Sequence, residues 1–402
     1  MDKITPSQPA YTTVIDAQRT DRLREIEKEL PIICTDFFRS IAHTTSTLTR
    51  LAYAYDYRVF FEYLYKENYE FSSIPIPLVN DSHLCKLTGR DIEGFQDYLT
   101  RYYSGLQVDA DGRMLQNHEL GIMRKLCSLR SLFEYMYKNK HIPANITTLV
   151  TLPKLHEKPI LRLEPEEMTR MLDAVENGEG LTKHQQSVLK STRKRDMAIL
   201  MLFLGTGIRV SECVGIDLTD LDFELNAFLV TRKGGNQTIL YFPDQVAQAL
   251  LAYIEERKNI KPLEGHENAL FLSLQKRRIT QRAVENLVKK YALVAAPLKK
   301  RMSPHKLRST FGTNLYQETG DIYLVADVLG HADVNTTRRH YAAMTDTRKR
   351  EAVKFVKLPV DETNPSSSSE EAASDIIPSQ TTGKAADNTD AHWVYEKRKD
   401  DH

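Results

Sequence analysis

The chain has 402 residues, with 55 lysines and arginines against 54 aspartates and glutamates, and its formal net charge is +1. At about 150 residues per domain this length suggests two or three domains, and a hydrophobic fraction of 41% allows at least one sizeable core. The longest wholly apolar run, 197–204, has eight residues, far fewer than the about 20 that span a bilayer, and no signal peptide is visible.

The N-terminal part of the chain is predicted to be helical. Residues 1–25 are polar and contain proline, which is typical of a flexible arm. Apolar residues then recur at helical spacing in three stretches, 48–64, 92–99 and 123–136. We therefore predict a small all-helical domain over 26–151, followed by a proline-containing linker over 152–162.

The segment 163–357 combines helices with one β-hairpin. Acidic residues and Pro165 indicate a helix start, and the apolar run 197–204 predicts a helix that ends at a glycine turn. Two β-prone stretches flank a second glycine turn, which predicts a hairpin with strands 227–231 and 238–242. Further helices are predicted over 244–257, 281–292, 305–318, 322–329 and 347–357. The fold class is therefore mainly α with a small β-sheet, or α+β.

The near-neutral net charge hides an uneven distribution. Residues 358–402 carry ten acidic and four basic side chains, include four consecutive serines, and are predicted to be a disordered acidic tail. Residues 276–308 carry eleven basic side chains and one acidic one. A solvated helix face would give the same pattern as a surface for nucleic-acid phosphates. The candidate DNA-binding residues are Lys276, Arg277, Arg278, Arg282, Lys299, Lys300 and Arg301.

Cysteine usage and cofactor motifs give further expectations. The four cysteines are widely spaced and form neither a metal-binding nor a disulfide pattern, so we expect a cytoplasmic protein. The sequence contains no GxxxxGK[ST] phosphate loop and no paired carboxylates with metal-ligand spacing. We therefore predict that the protein needs no cofactor, no metal ion and no ATP, and that it has no membrane partner.

Four short segments concentrate cationic and nucleophilic side chains. Arg209 follows a glycine turn, and His305 and Arg308 are three residues apart, so they share one face of a helix. Arginine binds phosphate oxygens through two parallel hydrogen bonds, so these groups together could hold one phosphate. The segments are Gly205–Glu212, the hairpin with Lys233, His305–Arg308, and Leu329-Gly330-His331 followed by Tyr341.

These segments, in this order, resemble the motifs of the tyrosine recombinase family (phage integrase, Xer-type) over most of 163–357. The helical region 26–151 is similar in size and type to the family's core-binding domain, without a diagnostic motif. The resemblance implies an all-helical SAM-like domain and a tyrosine-recombinase catalytic domain that form a C-shaped clamp on double-stranded DNA. It also implies a homotetramer on two specific sites.

The resemblance implies a role for each matching residue. Tyr341 matches the nucleophile that attacks a DNA phosphodiester to give a 3′-phosphotyrosine and a free 5′-hydroxyl. Arg209 and Arg308 match the pair that binds the non-bridging oxygens of the phosphate. Lys233 matches the general acid for the leaving 5′-oxygen, and Glu212 matches an acidic position that supports the site.

The two histidines of the motifs match family positions beside the phosphate. His305 is a candidate for assisting proton removal from Tyr341, and His331 lies in the Leu-Gly-His segment. The spacing from His331 to Tyr341 is ten residues, where many family members have nine, and His340 occupies the extra position. Tyr341 remains the preferred nucleophile because the only later tyrosine is Tyr395, in the predicted tail.

Two other activities compete with site-specific recombination. A strand-relaxing enzyme like the type IB topoisomerases would share the tyrosine chemistry, but the separate helical domain and the Leu-Gly-His segment favour a recombinase. A catalytically inactive DNA-binding protein is the other alternative, and the complete set of candidate catalytic residues argues against it. The biological use stays open between chromosome-dimer resolution, phage or transposon integration, and plasmid or inversion switching.

Overall fold

The computed structural model describes residues 11–103, 114–154, 161–232, 236–330 and 333–334. Lys233, His331, Tyr341, the predicted helix over 347–357 and the predicted tail over 358–402 lie outside these ranges. The described part is mainly helical with two small antiparallel sheets, which confirms the predicted fold class. No described helix has both the length and the apolar composition needed to cross a bilayer.

The described chain before residue 140 contains six α-helices, one 3-10 turn (Ile76–Leu78) and a short antiparallel ribbon. The all-helical prediction for this region therefore missed the ribbon. The elements are α1 (Tyr11–Glu27), α2 (Ile32–Ser40), α3 (Thr47–Glu67), α4 (Asp81–Leu84), α5 (Gly89–Tyr98), β1 (Tyr102–Tyr103), β2 (Met114–Leu115) and α6 (Glu119–Lys138).

The core of this region is rich in aromatic side chains. The rings of Phe60 and Phe95 pack edge to face at 5.1 Å between centroids, which joins α3 to α5. The Tyr57 hydroxyl donates to the Ser128 carbonyl at 2.9 Å, which joins α3 to α6. A buried phenol needs such a partner, so the aromatic stripe that the sequence shows in 48–64 packs as hydrophobic core.

The flexible arm predicted for 1–25 is wrong from residue 11 onward, because α1 begins there and packs along α3. Leu23 and Ile26 are 3% and 0% exposed. At the other end of α1, the ring of Tyr11 packs against a second hydrophobic core, which is formed by residues between 163 and 307, and lies 4.9 Å from the Arg278 guanidinium. The apolar pattern of the sequence does not reveal this helix, because its buried face is narrow and its other residues are polar.

Eight helices and a three-stranded antiparallel sheet form the second part of the described chain. The sheet order is β3-β4-β5, and residues Ala227 and Thr231 of β4 pair with Tyr241 and Gln237 of β5. The elements are α7 (Pro165–Asn177), α8 (Lys183–Leu189), α9 (Arg193–Thr206), α10 (Val210–Gly215), β3 (Leu221–Asp222), β4 (Ala227–Thr231), β5 (Gln237–Tyr241), α11 (Asp244–Arg257), α12 (Gln281–Ala295), α13 (Pro304–Thr319) and α14 (Ile322–Leu329).

Helix α9 lies at the centre of the second core. It packs against α7, α11 and α13, and its residues Ile199, Leu200 and Phe203 are completely buried. A helix that is apolar on all sides must be enclosed by other elements, which explains the apolar run 197–204. The position of its C-terminal end is therefore fixed from several directions.

The N-terminal end of α9 is anchored by a buried carboxylate. Asp196 is 1% exposed and accepts hydrogen bonds from Arg195 at 2.8 Å, from Lys290 at 3.1 Å and from the Tyr291 hydroxyl at 2.8 Å. Burial, followed by the charge of Asp196, raises the pKa of Tyr291 well above its ordinary value. Because a buried carboxylate is tolerated only with partners, this cluster joins α9 to α12.

Helix α1 can be tested by truncating a side chain on its buried face. We expect Ile26→Ala to lower the free energy of unfolding by about 2–4 kcal/mol, because it removes buried methylene groups and leaves a cavity. Arg24→Ala changes an exposed residue of the same helix and should cost less than about 0.5 kcal/mol. Urea unfolding measures the free energy of unfolding of both variants. Equally small losses would mean that this segment is a flexible arm, as the sequence predicted.

Candidate active site

Arg209 is positioned by the turn between α9 and α10. Helix α9 ends at Gly207, which has a φ of +61°, and Arg209 is the N-cap residue of α10. Its backbone N–H donates to Glu212 Oε2 at 3.0 Å, and its Nη1 donates to Glu212 Oε1 at 2.7 Å. The Glu212 side chain is 4% exposed and that of Arg209 is 37% exposed. Glu212 therefore holds both the backbone and the guanidinium of Arg209.

Arg308 lies on α13 and meets Arg209 at the end of α14. Its Nη1 donates to the Gly207 carbonyl at 2.6 Å, and its Nη2 donates to the Leu329 carbonyl. Nη2 of Arg209 lies 3.4 Å from the same Leu329 oxygen and donates to the Gly330 carbonyl at 3.0 Å. Two guanidinium groups thus share one carbonyl oxygen.

The acceptors of these bonds are carbonyls at two helix ends. The last carbonyls of a helix have no partner within the helix and carry a partial negative charge. Gly207 follows α9, and Leu329 and Gly330 end α14, so both arginines are held where the backbone attracts cations. The sequence predicted that Arg209, Glu212 and Arg308 belong to one site, and the structure brings them together.

Two glycines allow the close approach of these elements. Gly207 and Gly330 have φ values of +61° and +59°, a region that favours glycine. A Cβ at Gly207 would overlap the Phe311 ring and lie 3.0 Å from Leu329 Cδ2. At Gly330 the guanidinium of Arg232 occupies the space that a Cβ would take.

His305 lies in the first turn of α13, one turn before Arg308, and is exposed. The other predicted catalytic residues, Lys233, His331 and Tyr341, are outside the described residues. Their sequence neighbours Arg232 and Gly330 are described and lie at the site. The histidine, lysine and tyrosine roles therefore stay predictions.

Five of the candidate DNA-binding residues have exposed side chains. Arg282 is 79% exposed and pairs with Glu285 at 3.2 Å, a contact that solvent weakens. Lys276 and Arg277 lie on the turn before α12, and Lys276 has a φ of +61°. The exposed candidates are Lys276, Arg277, Arg282, Lys300 and Arg301.

The Arg278 side chain makes hydrogen bonds within the protein, although the sequence predicted that it binds DNA. Its guanidinium donates to the Val214 and Ile216 carbonyls, each at 3.0 Å, and to the Asp217 carboxylate. It also lies against the Tyr11 ring. These partners hold the C-terminal end of α10, so the Arg278 side chain supports this turn.

Lys299 also has internal partners. Its Nζ donates to Glu167 Oε2 at 2.6 Å and to the Arg162 carbonyl at 2.8 Å. Burial alone would raise the pKa of Glu167, but the hydrogen bonds from Lys299 and from the Glu164 backbone hold it below its ordinary value. Lys299 thus joins the chain after α12 to the start of α7.

Among the described residues, no group of three or more histidine, cysteine, aspartate or glutamate side chains could hold a metal ion. The charged groups that converge on the site in that part of the chain are Arg209, Glu212, Arg232 and Arg308. The arrangement can bind an anion.

Comparisons with known proteins identify the family of this chain. The model of the phage integrase family matches residues 161–348. The tyrosine recombinase XerC of Caldanaerobacter subterraneus subsp. tengcongensis is 31% identical over 335 residues, which cover 80% of this chain and 86% of the relative. The tyrosine recombinase XerS of Streptococcus agalactiae is 29% identical over 354 residues, covering 83% and 96%. The chain belongs to the tyrosine recombinase (phage integrase) family.

Solved structures of recombinases share the fold. The XerH site-specific recombinase bound to a palindromic difH substrate has a TM-score of 0.56 at 19% identity, covering 87% of this chain and 91% of that chain. The Tn1549 transposon integrase with a circular intermediate DNA has a TM-score of 0.57 at 21% identity, covering 81% and 99%.

The close packing at Gly207 can be tested with a matched glycine. Gly207→Ala and Gly265→Ala both place a side chain at positive φ, which costs about 1–2 kcal/mol. A Cβ added at Gly265 has nothing within 4 Å, whereas a Cβ added at Gly207 would overlap the Phe311 ring. This overlap should cost about 1–3 kcal/mol of stability in addition. Of the two variants, we expect only Gly207→Ala to slow DNA cleavage, because the Gly207 carbonyl accepts a hydrogen bond from Arg308. Equal losses of stability and activity in the two variants would contradict this.

Proposed function

We propose that this member of the family cleaves and rejoins duplex DNA through a covalent 3′-phosphotyrosine intermediate. Site-specific DNA recombination is the activity of the family to which the chain belongs. The observation that supports the chemistry is the pair of guanidinium groups, Arg209 and Arg308, held on one carbonyl at the end of α14. Two adjacent cationic forks match the two non-bridging oxygens of a phosphodiester.

The arginine pair would stabilise charge that develops during the reaction. When a nucleophile attacks the phosphorus, the non-bridging oxygens gain negative charge, and donors already in place need no reorganisation. Glu212 keeps the Arg209 guanidinium oriented without substrate, and the Gly207 and Leu329 carbonyls do the same for Arg308. Loss of one such donor typically slows a reaction about 10²–10³-fold.

We assign the nucleophile to Tyr341. A phenol has a pKa of about 10, and cationic neighbours favour its phenolate. The phenolate oxygen forms a bond to phosphorus, the bond to the 5′-oxygen breaks, and Lys233 supplies the proton that this oxygen takes. In this assignment His305 accepts the proton that the Tyr341 hydroxyl loses, and His331 lies beside the phosphate. The covalent intermediate keeps the phosphodiester energy, so rejoining needs no ATP, and we propose that no metal ion takes part.

The proposed partner is double-stranded DNA at specific sites. Supporting this, the solved structures with the same fold include XerH bound to its difH substrate and the Tn1549 transposon integrase in complex with circular intermediate DNA. We propose that the helical region 26–151 and the catalytic region 163–357 clamp the duplex, and that a homotetramer joins two sites in the cytoplasm. A relaxing activity of the topoisomerase type is not favoured by these relatives.

The nucleophile can be tested with a suicide substrate that carries the cognate site. We expect a covalent protein–DNA adduct on a denaturing gel with the parent protein and none with Tyr341→Phe, because the phenylalanine has no oxygen to attack phosphorus. Tyr323→Phe, at a 71% exposed tyrosine of α14, is the control and should form the adduct normally. An adduct that survives Tyr341→Phe would place the nucleophile elsewhere.

The two neighbouring arginines Arg277 and Arg278 should behave differently. Arg277→Ala should weaken DNA binding, lower the slope of log affinity against log salt by about 0.9 per lost phosphate contact, and leave stability unchanged. Arg278→Ala should instead lower the free energy of unfolding by about 2–3 kcal/mol, since it removes hydrogen bonds from a charged group. Salt-dependent binding and urea unfolding measure both. A stable Arg278→Ala protein with the larger loss of affinity would contradict the internal role.

A further inference from the structure

Arg232 is a third arginine at the end of α14 that no catalytic role above accounts for. It follows β4, and its backbone N–H donates to the Asn236 carbonyl at 2.7 Å, which closes the hairpin before the turn. Its Nη2 donates to the Val328 carbonyl at 3.3 Å. Its side chain thus extends from the hairpin to α14.

The contact between Arg232 and α14 is close. The guanidinium lies over the Cα of Gly330, and its Nε would be 2.9 Å from a Cβ at that position. The Nε itself is buried, without a hydrogen-bond partner among the described residues. A buried donor without a partner costs free energy. The packing against Gly330 and the hydrogen bond to Val328 must therefore offset this cost and hold the Arg232 guanidinium against α14.

Three consecutive carbonyls at the end of α14 therefore hold three arginines. The Val328 carbonyl accepts from Arg232, the Leu329 carbonyl from Arg308, and the Gly330 carbonyl from Arg209. Arg232 is the member of this set that lies on the β4–β5 hairpin. The hairpin is consequently tied to the same short segment that orients the phosphate-binding pair.

This tie bears on the leaving-group step because of the next residue. Lys233 follows Arg232 directly, and consecutive Cα atoms are about 3.8 Å apart. A fixed Arg232 backbone therefore limits where the lysine can lie relative to the arginine pair. The lysine side chain is a flexible four-carbon chain with a compact charge at its end. Its ammonium group can therefore be directed at one particular oxygen only if the backbone that carries it is held in place.

We propose that Arg232 is a positioning residue for the general acid, fixing the hairpin that carries Lys233 against the end of α14. This inference depends on the assignment of Lys233 in the proposed function. In the step concerned, the Tyr341 oxygen bonds to phosphorus, the electron pair of the breaking bond goes to the 5′-oxygen, and Lys233 gives that oxygen its proton. Arg232 acts through Lys233 and does not touch the reacting atoms.

The test uses suicide substrates in which sulfur replaces the bridging 5′-oxygen of the scissile phosphate. A thiol has a pKa of about 8.5, so the thiolate departs without a proton from the enzyme. General acid catalysis is worth about 10²–10⁴-fold. We expect Arg232→Ala to cleave ordinary DNA at least about 10-fold more slowly than the parent, with most of this loss recovered on the sulfur substrate.

Four variants make the result specific. Lys233→Ala should also recover on the sulfur substrate, whereas Arg209→Ala should stay slow on both substrates because it acts on the non-bridging oxygens. Arg232→Lys keeps the charge but loses the planar fork, so we expect a smaller defect that also recovers. Gln237→Ala, at the exposed residue of β5 that pairs with Thr231, should cleave both substrates normally.

The outcomes separate the positioning role of Arg232 from the general-acid role of Lys233. Recovery of Lys233→Ala without recovery of Arg232→Ala or Arg232→Lys overturns the positioning role and leaves the proposed function standing. Failure of Lys233→Ala to recover overturns the general-acid assignment and the positioning role with it. Normal cleavage of ordinary DNA by Arg232→Ala also overturns the inference. Thermal unfolding and DNA affinity of each variant separate a folding defect from a catalytic one. If Arg232→Ala does not fold, Arg232→Lys takes its place in the test.

Discussion

The structure of the site depends on one carbonyl oxygen, that of Leu329, which receives hydrogen bonds from both Arg209 and Arg308. Two like charges repel, by about 4 kcal/mol at a separation of about 4 Å and an effective dielectric constant of 20, so the two guanidinium groups stay together only where other groups compensate. The partial negative charge at the ends of α9 and α14 does this for Arg308, and the Glu212 carboxylate does it for Arg209. The result is a concentrated positive centre that can bind an anion.

The rest of the second core keeps these helix ends in place. Helix α9 is enclosed by α7, α11 and α13, and Asp196 anchors its other end to α12. Because α13 carries Arg308 and packs on α9, the same contacts that bury Phe203 also set the distance from Arg308 to the Gly207 carbonyl. A side chain held in this way by a rigid core keeps its position when a ligand binds.

The sequence predicted most elements whose burial is periodic. The helices Asp244–Arg257 and Ile322–Leu329 and the strand Ala227–Thr231 begin and end where the pattern placed them. Helix α1 was missed because few of its side chains are apolar, and the two-residue strands β1 to β3 are too short to show a period. Arg209, Glu212 and Arg308 could be grouped from their motifs. The carbonyls that hold them could not, since a backbone acceptor has no signature in a sequence, and for the same reason Arg278 and Lys299 were taken for surface residues.

The central claim is that Arg209 and Arg308 neutralise the charge of one scissile phosphate. It is tested most directly by cleavage of a suicide substrate in which a methyl group replaces one charged non-bridging oxygen of that phosphate. An arginine that serves to neutralise charge becomes dispensable when the charge is removed. We predict that Arg209→Ala, which is strongly slowed on ordinary DNA, forms the covalent adduct readily on the uncharged substrate. An Arg209→Ala protein that binds both DNAs but cleaves neither would contradict it.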